Sequence, residues 1–577
     1  MGKTSATGSF QLLIGVAMST IIMAVGAIII GRLLTPAEYG LYGIVLIPLT
    51  TINLFRDWGI NSAMTKYIAS LRASQKTEEI HSVIAAGLIF EIASGIVLSF
   101  LSLGLATFIA TTIFHRPESA FFIQIISVSI IAGSLLTASQ AVFIGFERME
   151  LNSFTLICQA IVKVAVGPIL VFLGYGVLGA VIGYGVGFIA GGTIGLATFY
   201  IALYRPLTKK GTRSLTETFR TMLNYGWPLA ISSIFGGILP QIYLFMAPSF
   251  VSNTLYGNYA VASNFTVILT FLTTPISTVL FPAFAKLDTE DDDELVKTVF
   301  KSSIKYTSVL LVPSTIAMMA LSSPIVGTLY GEKYVYGPFF LTIAVIGNLF
   351  ALLGSFSATN LLQGLGETRI IMIQSIMALI VGLPIGFFLI PMLGITGLII
   401  ASTVAVVPSL LWGLYWIWKQ HRARADFKSS AKILAASAIA AFVAYVPTRF
   451  LNTADWIKLV TGLAIFLIVY VLSAPLIGAV CLTDIDNLRT MFSGIGIVSK
   501  ITSIPLAAAE KAAKVNTRRT LEFSSAEHST EVLTYITLSM LSIIGALAQT
   551  LLWLIPGCVF GLLSIIVIVE AHQGRAR

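Results

Sequence analysis

Fourteen apolar stretches, most of 20 or more residues and nearly free of charge, follow one another along the first 481 residues. They are 10–34, 41–69, 80–113, 121–145, 151–173, 177–203, 222–250, 256–285, 299–329, 339–365, 370–391, 395–418, 431–451 and 456–481. Hydrocarbon offers a backbone no hydrogen bonds, so a stretch of ~20 apolar residues crosses a bilayer as an α-helix that satisfies its own N–H and C=O groups. The succession predicts an all-α, polytopic membrane protein. Composition agrees: 56% of the residues are hydrophobic and 11% charged, against about 25% charged in a soluble domain. Several runs exceed the length one crossing needs, which predicts tilted or bent helices. The first run is too long for a signal peptide and reads as a retained span.

The basic residues are unevenly spread. With the N-terminus inside, 26 of the 35 Lys and Arg fall in loops, tails and span ends on the inner side. Five fall on the outer side: Arg32, Arg116, Lys333, Arg449 and Lys458. This bias predicts a cytoplasmic N-terminus in a cell membrane. It makes the net charge of +9 a topology signal with some attraction for anionic lipid, and no nucleic-acid partner is expected. Neither a metal nor a cofactor is expected. Cys158, Cys481 and Cys558 have no ligand spacing, the five histidines are scattered, and the acidic run 290–294 lacks the glycine of a calcium loop. A GxGxxG match at 174–179 joins two apolar runs rather than a strand and a helix. It reads as a tight turn, followed by close helix packing through Gly183, Gly185 and Gly187.

The chain repeats itself. Tyr39-Gly40-Leu41-Tyr42 matches Tyr256-Gly257-Asn258-Tyr259 at an offset of 217. Gly176-Val177-Leu178-Gly179 matches Gly394-Ile395-Thr396-Gly397 at 218, and Phe143-Ile144-Gly145 matches Leu362-Gln363-Gly364 at 219. Six spans separate the copies, an even number, so the repeats are parallel, an arrangement that in transporters puts the substrate site between halves. The expected divisions are a six-helix lobe at 1–208, a second at 209–420 and two further spans at 421–482. A cytoplasmic amphipathic segment follows at 483–530, with Asp484 or Asp486 capping its start, and then a hydrophobic helix or hairpin at 531–577.

Charged groups inside spans are the functional candidates. Each costs roughly 2.5–3.5 kcal/mol on insertion scales unless it faces a cavity or a partner. Arg56 and Asp57 lie deep in the second span, Glu91 in the third and Lys163 in the fifth. Their counterparts in the second copy are Thr273, Thr274, Ser308 and Val381, none of them charged. Two readings follow: cations lining a substrate cavity, or structural pairs such as Arg56–Asp57 and Lys163–Glu91.

Residues 31–42, Gly-Arg-Leu-Leu-Thr-Pro-Ala-Glu-Tyr-Gly-Leu-Tyr, then Asp57-Trp58-Gly59-Ile60 and Tyr67, resemble the opening of the prokaryotic polysaccharide exporters. These are the lipid-linked oligosaccharide flippases of the multidrug/oligosaccharidyl-lipid/polysaccharide superfamily. Gly364-Leu365-Gly366-Glu367-Thr368-Arg369 fits the second half of the same pattern, and the resemblance covers about residues 8–480. It implies a MATE-like fold of two six-helix bundles forming a V, with two extra helices, working by alternating access and without catalytic residues. It implies as substrate a polyprenyl-phosphate- or diphosphate-linked glycan carried to the external leaflet. Arg56 and Lys163 would meet its phosphate, Arg32 would meet it on exit, and Asp57 and Glu91 are available for ion coupling. A monomeric transporter working near glycosyltransferases is expected. The alternatives are a proton- or sodium-coupled multidrug exporter and, third, a membrane glycosyltransferase or polymerase, which the short external loops with few carboxylates disfavour.

Overall fold

The computed structural model describes residues 2–205, 214–285, 293–493, 503 and 505–515. By its contacts the chain separates into Met1–Glu510 and Lys511–Arg577, and the fold below is that of the first unit. The expected hydrophobic stretch 531–577 and much of 483–530 lie outside the described residues.

Every regular element among the described residues is helical. The first half holds α1 (Gly2–Leu33), α2 (Pro36–Val45), α3 (Ile47–Arg56), α4 (Ile60–Ala73), α5 (Thr77–Phe108), α6 (Ser119–Ser127), α7 (Ser129–Gly145), α8 (Met149–Leu170) and α9 (Gly176–Phe199). The second holds α10 (Leu215–Met246), α11 (Asn253–Ala285), α12 (Asp293–Ala320), α13 (Ser322–Tyr330), α14 (Gly337–Ala344), α15 (Ser355–Gly364), α16 (Thr368–Leu393) and α17 (Ile395–His421). Then come α18 (Phe427–Phe450), α19 (Asp455–Leu476) and α20 (Leu482–Ser493).

Eleven of these helical stretches are long and apolar enough to cross a membrane, and α14–α15 makes a further span bent by 57°. One of the eleven, Met149–Tyr204, is α8 and α9 folded back on each other. The reversal sits at Gly174 (φ +93°) and Gly176 (φ +51°), in a region of backbone space open mainly to glycine. With α8 and α9 taken separately and the 33-residue α11 added, fourteen crossings lie among the described residues, and the chain is a multi-pass membrane protein.

A glycine every fourth residue lets α9 lie on α8 almost backbone to backbone. A Cβ added at Gly183 would sit 2.2 Å from the Gly167 Cα, and one at Gly187 would sit 2.6 Å from the Lys163 Cβ. Gly191 approaches Gln159 in the same way. Gly185, expected among them, points elsewhere, towards Ile126 and Ser129.

The repeat is visible in the backbone. Gly176 (φ 51°, ψ −131°) and Gly394 (φ 59°, ψ −128°) share one unusual conformation at the head of the last helix of each bundle. Gly40 and Gly257 meet each other where α2 crosses α11. A Cβ on Gly40 would lie 1.8 Å from the Asn253 carbonyl oxygen, and one on Gly257 would lie 2.0 Å from that of Pro36. Pro36 and Asn253 are themselves 217 residues apart, so the crossing is its own pseudo-symmetry mate.

The halves differ at one span each. The second span, expected to run unbroken from 41 to 69, stops at Arg56 and restarts at Ile60 around Gly59 (φ +74°), whose Cα packs on the Gly226 backbone. Its counterpart α11 is continuous. In the second half the bend lies instead at Gly354 (φ +92°). After α17, α18 and α19 pack on α12 and α13. The Asp484 carboxylate caps α20 by accepting from the Cys481 N–H (2.7 Å), and it pairs with Lys305 of α12 at 2.5 Å.

Candidate functional site

The break in the second span builds a polar cluster inside the first bundle. Arg56 ends α3, so its cation lies at the negative end of that helix, while the N-terminus of α4 turns its unpaired N–H groups towards the nearby carboxylates. Arg56 is 6% exposed. Its Nη1 donates to Asn53 Oδ1 (3.1 Å) and its Nη2 to Thr137 Oγ1 (2.9 Å). Its Nε lies 3.7 Å from Glu91 Oε2, close enough for an ion pair but too far for a hydrogen bond. Glu91, fully buried on α5, accepts at Oε1 from Asn61 Nδ2 at 2.8 Å. Asp57 accepts from the Asn61 N–H at 3.3 Å and caps the start of α4. Arg56 Nε, Glu91 Oε2 and Asn61 Oδ1 are buried without a hydrogen-bond partner. The pair is therefore loose, with bonding capacity left over on both partners. Neither of the two pairings suggested by the sequence forms. Arg56 is joined to Glu91.

Lys163 stands apart from these carboxylates. Its ammonium lies 3.8 Å from the centre of the Tyr184 ring, a cation–π contact. No carboxylate comes within ion-pair distance of it among the described residues. Tyr184 in turn stacks near Phe188 at 5.3 Å and Tyr42 at 6.5 Å. At Gly133 an added Cβ would meet both Arg56 Nη1 and the Phe188 ring, so the Tyr184–Phe188 pair has one cation on each flank. Asn61, Thr137 and Tyr184 were not among the sequence candidates. The only signal for Tyr184 was an aromatic i,i+4 pair set into a glycine-rich helix.

Arg32 lies at a different place. Its Nε donates to the Leu329 carbonyl (2.8 Å) and its Nη2 to that of Thr328, which caps the C-terminus of α13. Lys333 returns the contact, donating to the carbonyls of Arg32 and Leu34 at 2.6 Å each. Beside them Asn264 Nδ2 donates to the hydroxyls of Tyr39 (2.9 Å) and Tyr330 (3.0 Å). The Tyr334 hydroxyl donates to the Gly31 carbonyl at 2.7 Å. Arg116, between α5 and α6, reaches the turn ahead of α11, where it donates to Asn253 Oδ1 and to the carbonyls of Pro248 and Val251. Burial lowers the Arg116 pKa from its ordinary value and Glu118 opposes the shift. Three of the five basic residues counted on one face thus clasp the first half to the second.

The opening motif belongs to this clasp. Thr35 and Glu38 form a capping box, with Pro36 in the first turn of α2. Tyr39 reaches Asn264, and Gly40 makes the crossing with α11. Residues 5–288 match the model of the family described as polysaccharide biosynthesis protein.

The first half of the chain is similar to the polysaccharide biosynthesis protein family.

Two relatives extend the comparison. The chain is 20% identical over 217 residues to the probable low-salt glycan biosynthesis flippase Agl15 of Haloferax volcanii, covering 36% of this chain and 45% of that protein. It is 20% identical over 406 residues to the lipid II flippase MurJ of Bacillus subtilis, covering 63% and 73%. The chain thus spans less than half of the first of these relatives. Among solved structures, a lipid II flippase MurJ in an inward closed conformation superposes with a TM-score of 0.63 at 16% identity, over 79% of this chain and 97% of that one. An inward-facing MATE family multidrug resistance transporter superposes at 0.55 and 16% identity, over 70% and 96%. These likenesses fix the MATE-like fold. The opening motif, which resembles that of the polysaccharide exporters, sits mainly where the two halves meet.

Proposed function

We propose that this protein carries a polyprenyl-phosphate- or diphosphate-linked oligosaccharide or polysaccharide precursor from the cytoplasmic to the external leaflet by alternating access. The lobes 1–208 and 209–420 are the moving bodies, and the N-terminus is cytoplasmic. The observation that carries the reading is Lys163, a deep cation resting on an aromatic face with no carboxylate in reach among the described residues. A cation without a counter-ion inside an apolar bundle suits an anionic substrate. Arg56 is the second phosphate contact, with Glu91 holding it between cycles, and Asp57 and Glu91 are the groups available for coupling. A multidrug exporter taking up organic cations would need an unengaged buried carboxylate, and here Glu91 is committed to Arg56 and Asn61. The relatives named as glycan and lipid II flippases support the same choice.

The test is flipping of a fluorescent polyprenyl-diphosphate-linked glycan in proteoliposomes. Lys163→Ala is expected to lower the rate at least about ten-fold, and Lys163→Arg to restore part of it. Native rates from both Lys163→Ala and Arg56→Ala would reject the reading.

In this orientation the Arg32–Lys333 and Arg116 clasps close the external face. Arg32 could receive a phosphate only after releasing Thr328 and Leu329, so its exit role belongs to the open state. Removing Arg116 and Arg32 together is expected to favour that state. A single cysteine at Ala260, opposite Gly43 in the crossing, should then label several-fold faster from outside intact cells than in the native background. An unchanged rate would argue against a gate here.

A further inference from the structure

A cavity of about 320 Å³ lies within the second bundle between α10, α15, α16 and α17. None of its lining residues is charged. Its polar wall is Ser355, Thr359, Gln374, Ser375, Ser402 and Ser409, and Phe235 and Tyr243 supply apolar faces.

The wall is biased towards acceptors. Thr359 donates its hydroxyl proton to the Ser355 carbonyl (3.1 Å) and Ser375 to that of Ile371 (3.1 Å). Ser402 donates to Leu398 and Ser409 to Val406, each at 2.8 Å. A hydroxyl has one proton and two lone pairs, so these four oxygens meet the cavity as acceptors. Gln374 directs its amide NH2 to the Ser409 carbonyl (2.8 Å), in space that Gly413 leaves open, and keeps its Oε1 as an acceptor. Pro240, in the same wall, has no N–H to give the Gly236 carbonyl one turn earlier, and a Cβ at Gly236 would meet nothing within 4 Å. Even Tyr243 has committed its hydroxyl, to the Gly382 carbonyl at 2.5 Å.

An uncharged, acceptor-rich pocket with aromatic faces is complementary to a neutral ligand that carries several O–H or N–H donors on a ring with apolar faces. We propose that this cavity is a sugar site, holding one neutral or N-acetylated sugar of the transported headgroup. The volume is at the small end of the ~300–1,000 Å³ usual for ligand pockets, which suits one ring rather than a chain. The inference rests on the proposed transport of a lipid-linked glycan and divides the labour between the halves. Phosphate goes to the cations of the first bundle, and sugar goes to the bundle whose matching positions, Thr273, Ser308 and Val381, are neutral.

Two measurements on the full chain in nanodiscs or proteoliposomes decide it. With Cys158, Cys481 and Cys558 replaced by serine, T359C, or S375C where that variant folds better, is labelled with a maleimide. Neutral hexoses and N-acetylhexosamines are expected to slow labelling several-fold, and sodium chloride at matched osmolarity is not. Protection by sodium chloride alone would make the cavity a cation site and overturn the proposal, as would protection by neither. In the second measurement, Gln374→Leu is expected to lower the ratio of flipping rates for glycan-bearing over sugar-free polyprenyl diphosphate by about ten-fold, the effect of one lost hydrogen bond. An unchanged ratio would overturn the sugar site. If the native chain flips neither lipid, the transport reading fails, and the labelling experiment still decides the pocket.

Discussion

Replacing Gly40 or Gly257 with leucine is expected to leave a folded chain that no longer exports glycan. At each position a bare Cβ would lie about half a normal contact distance from a backbone oxygen of the other half, 1.8 Å from Asn253 and 2.0 Å from Pro36. Backbone cannot rotate away as a side chain can, so α2 and α11 must separate. Overpacking of this kind typically costs 1–3 kcal/mol. At the upper end it shifts the balance between closed and open arrangements by about a hundred-fold. Each half keeps its own packing, since α2 and α11 meet across the interface rather than within a bundle, so helix content and elution volume should stay native. Flipping in proteoliposomes should fall at least about ten-fold, and the cysteine at Ala260 should become reactive from outside. Gly104→Leu, on a helix face with no atom within 4 Å of an added Cβ, is the matched control. Native transport by Gly257→Leu would mean that the crossing does not need to close.

The spans were legible because the bilayer leaves a chain so few options. Hydrophobic length alone gave fourteen crossings, and the glycine pairs at an offset of 218 marked turns that the structure builds with the same dihedrals at Gly176 and Gly394. What sequence could not show was the direction in which side chains point. Arg56 follows Asn53 by three residues and precedes Asp57 by one, but its ion-pair partner proved to be Glu91 on another helix, brought opposite by a break at Gly59. Nothing in hydropathy distinguishes that break from the continuous α11. Arg32 sits at a span end, where a phosphate contact was reasonable to expect. In this closed arrangement it caps a helix, because the last carbonyls of α13 lie beside it, and that proximity is a property of the assembled halves. The motif with the strongest family resemblance therefore lies where the halves meet, and the groups proposed to face the substrate lie among residues with weaker signatures.

Removing Glu91 alone should be among the most damaging single changes in the first bundle. Glu91→Leu leaves the buried Arg56 guanidinium without its ion-pair partner, with Asp57 beyond ion-pair distance, and breaking a buried pair in this way costs about 3–5 kcal/mol. Asn61 loses its acceptor as well. The expected result is a large drop in thermal stability and in the yield of detergent-solubilised protein. The double substitution Arg56→Met, Glu91→Leu removes both charges and should recover most of that loss, since apolar replacements of a buried pair are often neutral or stabilising. The double variant separates the structural role of these atoms from the transport role proposed for them. The pair is loose, with Arg56 Nε and Glu91 Oε2 facing each other at 3.7 Å and neither hydrogen-bonded. A purely architectural pair would be expected to close that gap, whereas a pair that must part to admit a phosphate is better left open. The double variant should therefore be stable and inactive. If it is stable and flips the lipid-linked glycan at the native rate, Arg56 and Glu91 are architecture alone, and Lys163 must receive the phosphate without them.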